Sequence, residues 1–170
     1  GAFGSMGGLL TVLQQGAGAA HEALVLLGYS NNALREALPP AALPFADDPA
    51  GARAALNDLL RGWRTEAFFE MPDTAQARAV YKGGRLAEAA LRALAAVHTR
   101  TLGIGGLMAM IPGSARPELE SIDVPVFLAV GDRDIAGSPQ QIPASLPRAP
   151  YLGLAVLPQT GHNHFVYPSR

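Results

Sequence analysis

Apolar residues in this chain fall into short runs separated by glycine- and proline-rich punctuation. After the small-residue opening Gly1 to Gly8, the stretch Leu9-Leu10-Thr11-Val12-Leu13-Gln14-Gln15 predicts a helix that stops at Gly16 and Gly18. Glu22 to Tyr29 is a continuous apolar run, the pattern of a strand buried on both faces in a parallel sheet. Residues 31–47 are rich in turn formers and proline. Asp48-Pro49 then supplies an N-cap followed by proline at the first helical position. Leu56, Leu59, Leu60 and Trp63 give that helix one apolar face. Phe68 and Phe69 form the next short apolar stretch, and Pro72-Asp73 opens another predicted helix. Gly83-Gly84 breaks it, and a further helix runs from Arg85 to His98 with Leu91, Leu94, Ala95 and His98 on one face. Residues 102–111 are apolar, glycine-interrupted and closed by Pro112-Gly113.

The last third changes character. Val124 to Val130 reads as a buried strand that ends in Gly131-Asp132-Arg133-Asp134. Pro139 to Leu146 fits a short crossover helix, and Leu152 to Leu157 a second strand ending in Pro158-Gln159-Thr160-Gly161-His162-Asn163-His164. Strand, helix and strand in that order imply a right-handed parallel crossover. The expected class is α/β, with a parallel sheet of about three strands.

Composition narrows the functions. With 170 residues, one modest domain is expected. A net charge of −1, with no basic cluster, excludes nucleic-acid binding by bulk electrostatics. Cysteine is absent, which removes a disulfide framework, a thiolate metal site and a thiol nucleophile together. No apolar run reaches the roughly 18 residues of a membrane span, and no basic segment of a signal peptide opens the chain. The expected location is the cytoplasm. The alanine-, glycine- and proline-rich composition hints at a GC-rich bacterial source.

In a parallel α/β sheet, functional groups gather beyond the carboxyl ends of the strands. Ser5 precedes the first helix in a glycine-rich turn, Asp134 follows the strand 124–130, and His162 follows the strand 152–157. A hydroxyl needs an adjacent base to become a nucleophile, and an imidazole needs a carboxylate to fix its tautomer. Each has a plainer alternative: Ser5 a terminal residue, Asp134 a turn cap, His162 a loop histidine. Asp132 is the competing acid. His164 stands on the substrate side or packs in the loop. A metal pair from His162 and His164 lacks a third nearby ligand, so no metal is expected. His21 and His98 read as structural or exposed. Phe68, Phe69, Met71, Leu107, Met108 and Met110 line a substrate pocket or fill a core. Gly103-Ile104-Gly105-Gly106 lacks the spacing of a dinucleotide loop.

Ser-Met-Gly-Gly before a helix, a strand ending in Gly-Asp-Arg-Asp and a strand ending in Gly-His together resemble the α/β-hydrolase family. That family carries its nucleophile on a tight strand–turn–helix elbow, G-x-S-x-G. The resemblance implies Ser5 as nucleophile, Asp134 as acid and His162 as base, with the backbone N–H of Met6 giving half of an oxyanion hole. It implies a core from residues 1–30 and 114–170 and a helical cap from 31–113. Phe68, Phe69, Met108 and His164 are then substrate-side candidates. The implied activity is ester or acyl hydrolysis of a small, hydrophobic, ester-like substrate with no cofactor. The elbow departs from the motif at Phe3, where the family has glycine. Gly-Ala-Phe-Gly-Ser also reads as a vector-derived leader, which would put Ser5 in the nucleophile's place by accident. A complete member has strands 1 to 5 ahead of the serine and a final helix after the histidine. An unpaired sheet edge is a liability, so a homo-oligomer, or pairing with an N-terminal half, is expected. The alternative function is a catalytically weak or inactive hydrolase-like domain that binds a small hydrophobic ligand or a partner.

Overall fold

The computed structural model describes residues 2–33, 35–38, 40–55, 68–69, 87–97 and 101–164. Four strands form one parallel sheet: β1 (Ala2–Gly4), β2 (Leu24–Leu27), β5 (Val126–Gly131) and β6 (Leu152–Leu157), in the order β1-β2-β5-β6. A short antiparallel pair, β3 (Phe68–Phe69) with β4 (Thr101–Leu102), stands apart from it. The α/β class holds, with one strand more than expected. Strand β1 is the addition, aligned Ala2↔Val25 and Gly4↔Leu27. Three residues carry no periodicity of their own, so the ladder of β2 rather than local pattern defines it. Strand β6 has the expected limits. Strand β5 starts after Pro125, which has no N–H for a ladder, although its carbonyl accepts from Leu24 N–H at 2.9 Å.

Helix α1 (Met6–Gly18) runs beyond both predicted ends and stops at Ala19, which takes the left-handed conformation. Gly16 lies inside it, where a β-carbon would press on Glu118. Among the described residues between β2 and β5 are the 3₁₀ turns Arg35–Ala37 and Pro40–Phe45 and the helices α2 (Pro49–Ala54), α3 (Glu88–Ala96) and α4 (Gly103–Met110). Asp48 caps α2 as expected, its carboxylate accepting from Gly51 N–H at 2.8 Å. The expected apolar face with Leu56 and Trp63, the helix after Pro72, and also Met71 and His98 lie outside the described residues. Helix α5 (Arg116–Ser121), announced only by Pro117 in its first turn, escaped the sequence reading. The crossover after β5 is 3₁₀ (Pro139–Ser145) rather than α, because Pro143 removes an interior N–H.

The main core joins Leu9 and Val12 of α1 to Leu24, Leu26, Val126, Leu128 and Val130 of the sheet, with Leu119 and Ile142 closing the same side. Leu38, Ala52, Leu107 and Ile111 form a second, smaller cluster in the insertion. Met108 packs against both. Buried Asn31 ties the insertion to the sheet: its Nδ2 donates to Ser114 Oγ at 2.7 Å and its Oδ1 accepts from Ala115 N–H at 2.7 Å. Arg53 adds a bidentate bond to Glu118 (2.7 and 2.8 Å), which holds that carboxyl below its ordinary range. The opposite sheet face is less covered, and Phe127 in β5 is 44% exposed.

Candidate active site

Ser5 occupies the single residue between β1 and α1. Its N–H continues the ladder by donating to Leu27 O at 3.0 Å, and its carbonyl accepts from Leu9 N–H at 3.2 Å as the helix begins. Serving a strand and a helix at once forces φ 51° and ψ −121°. A non-glycine residue there stores roughly 1–3 kcal/mol of strain. The turn is therefore sharp, and the next backbone N–H, of Met6, opens α1 where helical amides lack intrahelical acceptors.

Asp134 sits in the turn after β5, its N–H donating to Gly131 O at 3.2 Å. Its side chain has no exposed surface, and Oδ1 accepts from Ala136 N–H at 3.0 Å. His162 follows β6, and its Nδ1 lies 2.7 Å from the same Oδ1. With the carboxylate as acceptor, Nδ1 carries the proton and Nε2 is left as the basic nitrogen. Asp132 does something else. It is exposed and accepts from Thr160 N–H at 3.1 Å, and the backbone N–H of Gln159, ahead of that of Thr160, holds its carboxyl below the ordinary value of 3.8. Asp134 is thus the acid that reaches His162, while Asp132 fastens the loop that carries it.

That fastening has a pH sign. A carboxyl whose folded value is depressed stabilises the native loop above its unfolded value, and the contribution is lost as pH falls through the folded one. The Thr160 amide resonance is expected to titrate with a midpoint below 3.8. A midpoint at or above that value would show that Asp132 does not hold the loop.

Ser5 and His162 line one cleft with Gly28, Tyr29, Ala33, Ala109, Met110 and Ile135. Its free volume is about 20 Å³, enough for one water. Burial, with Glu118 nearby, pushes the Tyr29 phenol upward and keeps it neutral. A wider recess of about 420 Å³, lined by Asp132, Arg133, Asp134, Gln140 and Val156, contains neither Ser5 nor His162. Met108, expected on the substrate side, packs against both core clusters, and Met110 packs against the smaller one and also lines the cleft. Phe68 and Phe69 are placed by their backbones in β3. His164 is 4% exposed and lies against Gly28. Gly28 and Tyr29 were missed. Their signal was available, because they end the apolar run of β2 at the sheet edge where Ser5, Asp134 and His162 also stand. Among the described residues no three ligating side chains are grouped to hold a metal ion, and no helix is long and apolar enough to cross a membrane.

No protein-family model and no curated protein sequence matches the chain. Solved structures do. The chain superposes on the monoacylglycerol lipase of Paleococcus ferrophilus with a TM-score of 0.62 at 17% identity, covering 97% of this chain and 60% of the lipase. The esterase EaEST of Exiguobacterium antarcticum follows with 0.55, 15%, 97% and 59%. For the enol-lactonase of Burkholderia xenovorans LB400 the values are 0.52, 24%, 95% and 58%. The chain carries part of the α/β-hydrolase fold. It spans about 60% of the length of these structures. In this sheet Ser5 follows β1, Asp134 follows β5 and His162 follows β6.

Proposed function

We propose that the chain is a serine hydrolase of ester or acyl bonds, with Ser5 as nucleophile, His162 as base and Asp134 as the acid that orients it. The observation that carries this reading is the 2.7 Å Asp134–His162 pair opening on the cleft that also holds the strained Ser5. In the first step Ser5 Oγ bonds to the substrate carbonyl carbon and its proton passes to His162 Nε2. The imidazolium then protonates the departing alkoxide, leaving an acyl-serine. In the second step water, deprotonated by His162, cleaves the acyl-serine and restores the hydroxyl. The Met6 N–H, at the positive end of α1, stabilises the oxyanion in both steps. Segment 31–113 acts as the cap, and Phe68 and Phe69 contact the apolar part of the substrate. The lipase, esterase and lactonase among the structural neighbours favour an ester substrate. Turnover of short-chain p-nitrophenyl esters tests the reading. It is expected in the parent chain and absent in Ser5→Ala, and equal turnover in both would overturn it.

The β1 edge, unpaired among the described residues, and the exposed Phe127 favour association of this chain with a second copy. Light scattering is expected to show a dimer for the parent and a monomer for Phe127→Lys. A monodisperse parent monomer would contradict this.

A further inference from the structure

Asp134 is used asymmetrically. Its Oδ1 accepts two hydrogen bonds, from His162 Nδ1 at 2.7 Å and from Ala136 N–H at 3.0 Å. Its Oδ2 is equally buried, and no donor among the described residues reaches it. An ionised oxygen left without a donor in a closed site is costly, so what stands nearest to it matters. Gly28 locates that neighbour. A β-carbon on Gly28 would lie 3.0 Å from Asp134 Oδ2, 3.3 Å from His164 Nε2 and 3.4 Å from His162 Nδ1. One methyl-sized gap is therefore bordered by the acid and by both imidazoles. The gap is held open from two directions. Gly28 has φ +58°, which favours glycine, and its N–H is fixed to Ala129 O at 2.8 Å. His162 and His164 ride on one loop, tied down by the Thr160 N–H bond to Asp132.

We propose that His164 is a positioning residue that shares the Asp134 carboxylate with His162 across the gap left by Gly28. This rests on the triad reading above. Both atoms border the same gap, so the coupling acts through space or through one bridging water. His164 then draws part of the carboxylate's negative charge toward Oδ2, and a protonated His164 neutralises it. Either way less of the carboxylate's negative charge faces His162 Nδ1. The other groups facing the pair do not substitute for it. Asp132 is engaged with the Gln159 and Thr160 amides, Arg133 is exposed, Tyr29 is kept neutral by burial, and Ser5 is uncharged. Two imidazoles on one carboxylate titrate as a coupled set, not as independent sites.

The test is the pH dependence of kcat/KM for a short-chain ester, in the parent and in His164→Gln, which keeps a donor but cannot titrate. The expected result is that the acid limb of His164→Gln lies about half a pH unit or more higher and is shallower, with plateau kcat reduced less than about 10-fold. Superimposable acid limbs in two variants of equal thermal stability would overturn the proposal. Its second measurement needs no substitution and no activity: imidazole proton resonances of the parent chain followed from pH 4 to 9. Coupled, two-inflection curves for His162 and His164 are expected, and independent single inflections would overturn it. Coupled curves in a chain without ester turnover would leave the shared carboxylate standing and remove the serine-hydrolase reading instead.

Discussion

Asp134→Asn is expected to lower kcat/KM for an ester on the order of 10⁴-fold with the fold intact. The carboxylate meets two demands at one oxygen, since Oδ1 accepts from both the Ala136 N–H and His162 Nδ1. An asparagine that keeps its carbonyl oxygen there preserves both bonds but loses the charge that stabilises the imidazolium of the transition state. An asparagine turned the other way presents an NH₂ to Nδ1, forces the proton onto Nε2 and leaves Ser5 without a base. Both orientations disable the same step, so the loss does not depend on which is adopted. Thermal unfolding of the variant separates this from misfolding. A loss of less than about 10-fold in a folded variant would show that His162 works without Asp134.

The second large effect belongs to Gly131, the last residue of β5. A β-carbon there would run into the Thr160 carbonyl oxygen, and would stand 2.7 Å from the Thr160 carbonyl carbon and 3.0 Å from Gly161 O. These are backbone atoms on the loop that carries His162, and they cannot rotate aside. Thr160 O is also fixed by Arg133 N–H at 3.0 Å, so the acid turn and the histidine loop move together or not at all. Gly131→Ala is expected to cost about 1–3 kcal/mol in urea unfolding. A displacement of about 1 Å in the loop would cut kcat/KM by about 10². Gly18→Ala is the control, because nothing lies within 4 Å of its β-carbon position. It should leave activity unchanged. Parent-like stability and activity in Gly131→Ala would show that the two loops adapt independently.

Much of the scaffold was legible because long apolar runs bounded by Gly and Pro admit few interpretations. Strand β6 has the limits read from its sequence, β2 lies within its run, and β5 starts two residues later and ends one later than read. The positions of Ser5, Asp134 and His162 followed from that reading alone, since each stands just beyond a strand or before a helix. What stayed hidden depends on tertiary context. Strand β1 is three residues long and is defined by β2. Asn31 looked like one more turn residue, yet it is buried with its side-chain amide fully engaged across the fold. The resemblance alone favours Asp134 over Asp132; composition and spacing do not separate two aspartates in one turn, of which Asp134 is the buried one.

The central claim is that Ser5 is made nucleophilic by the His162–Asp134 pair. Intact mass after exposure to a serine-reactive fluorophosphonate tests it most directly, because the reagent needs an activated hydroxyl but no substrate pocket. The expected result is one adduct on the parent chain, absent in Ser5→Ala and strongly slowed in Asp134→Asn. No adduct on the folded parent chain, or an adduct that persists in Ser5→Ala, would contradict the account.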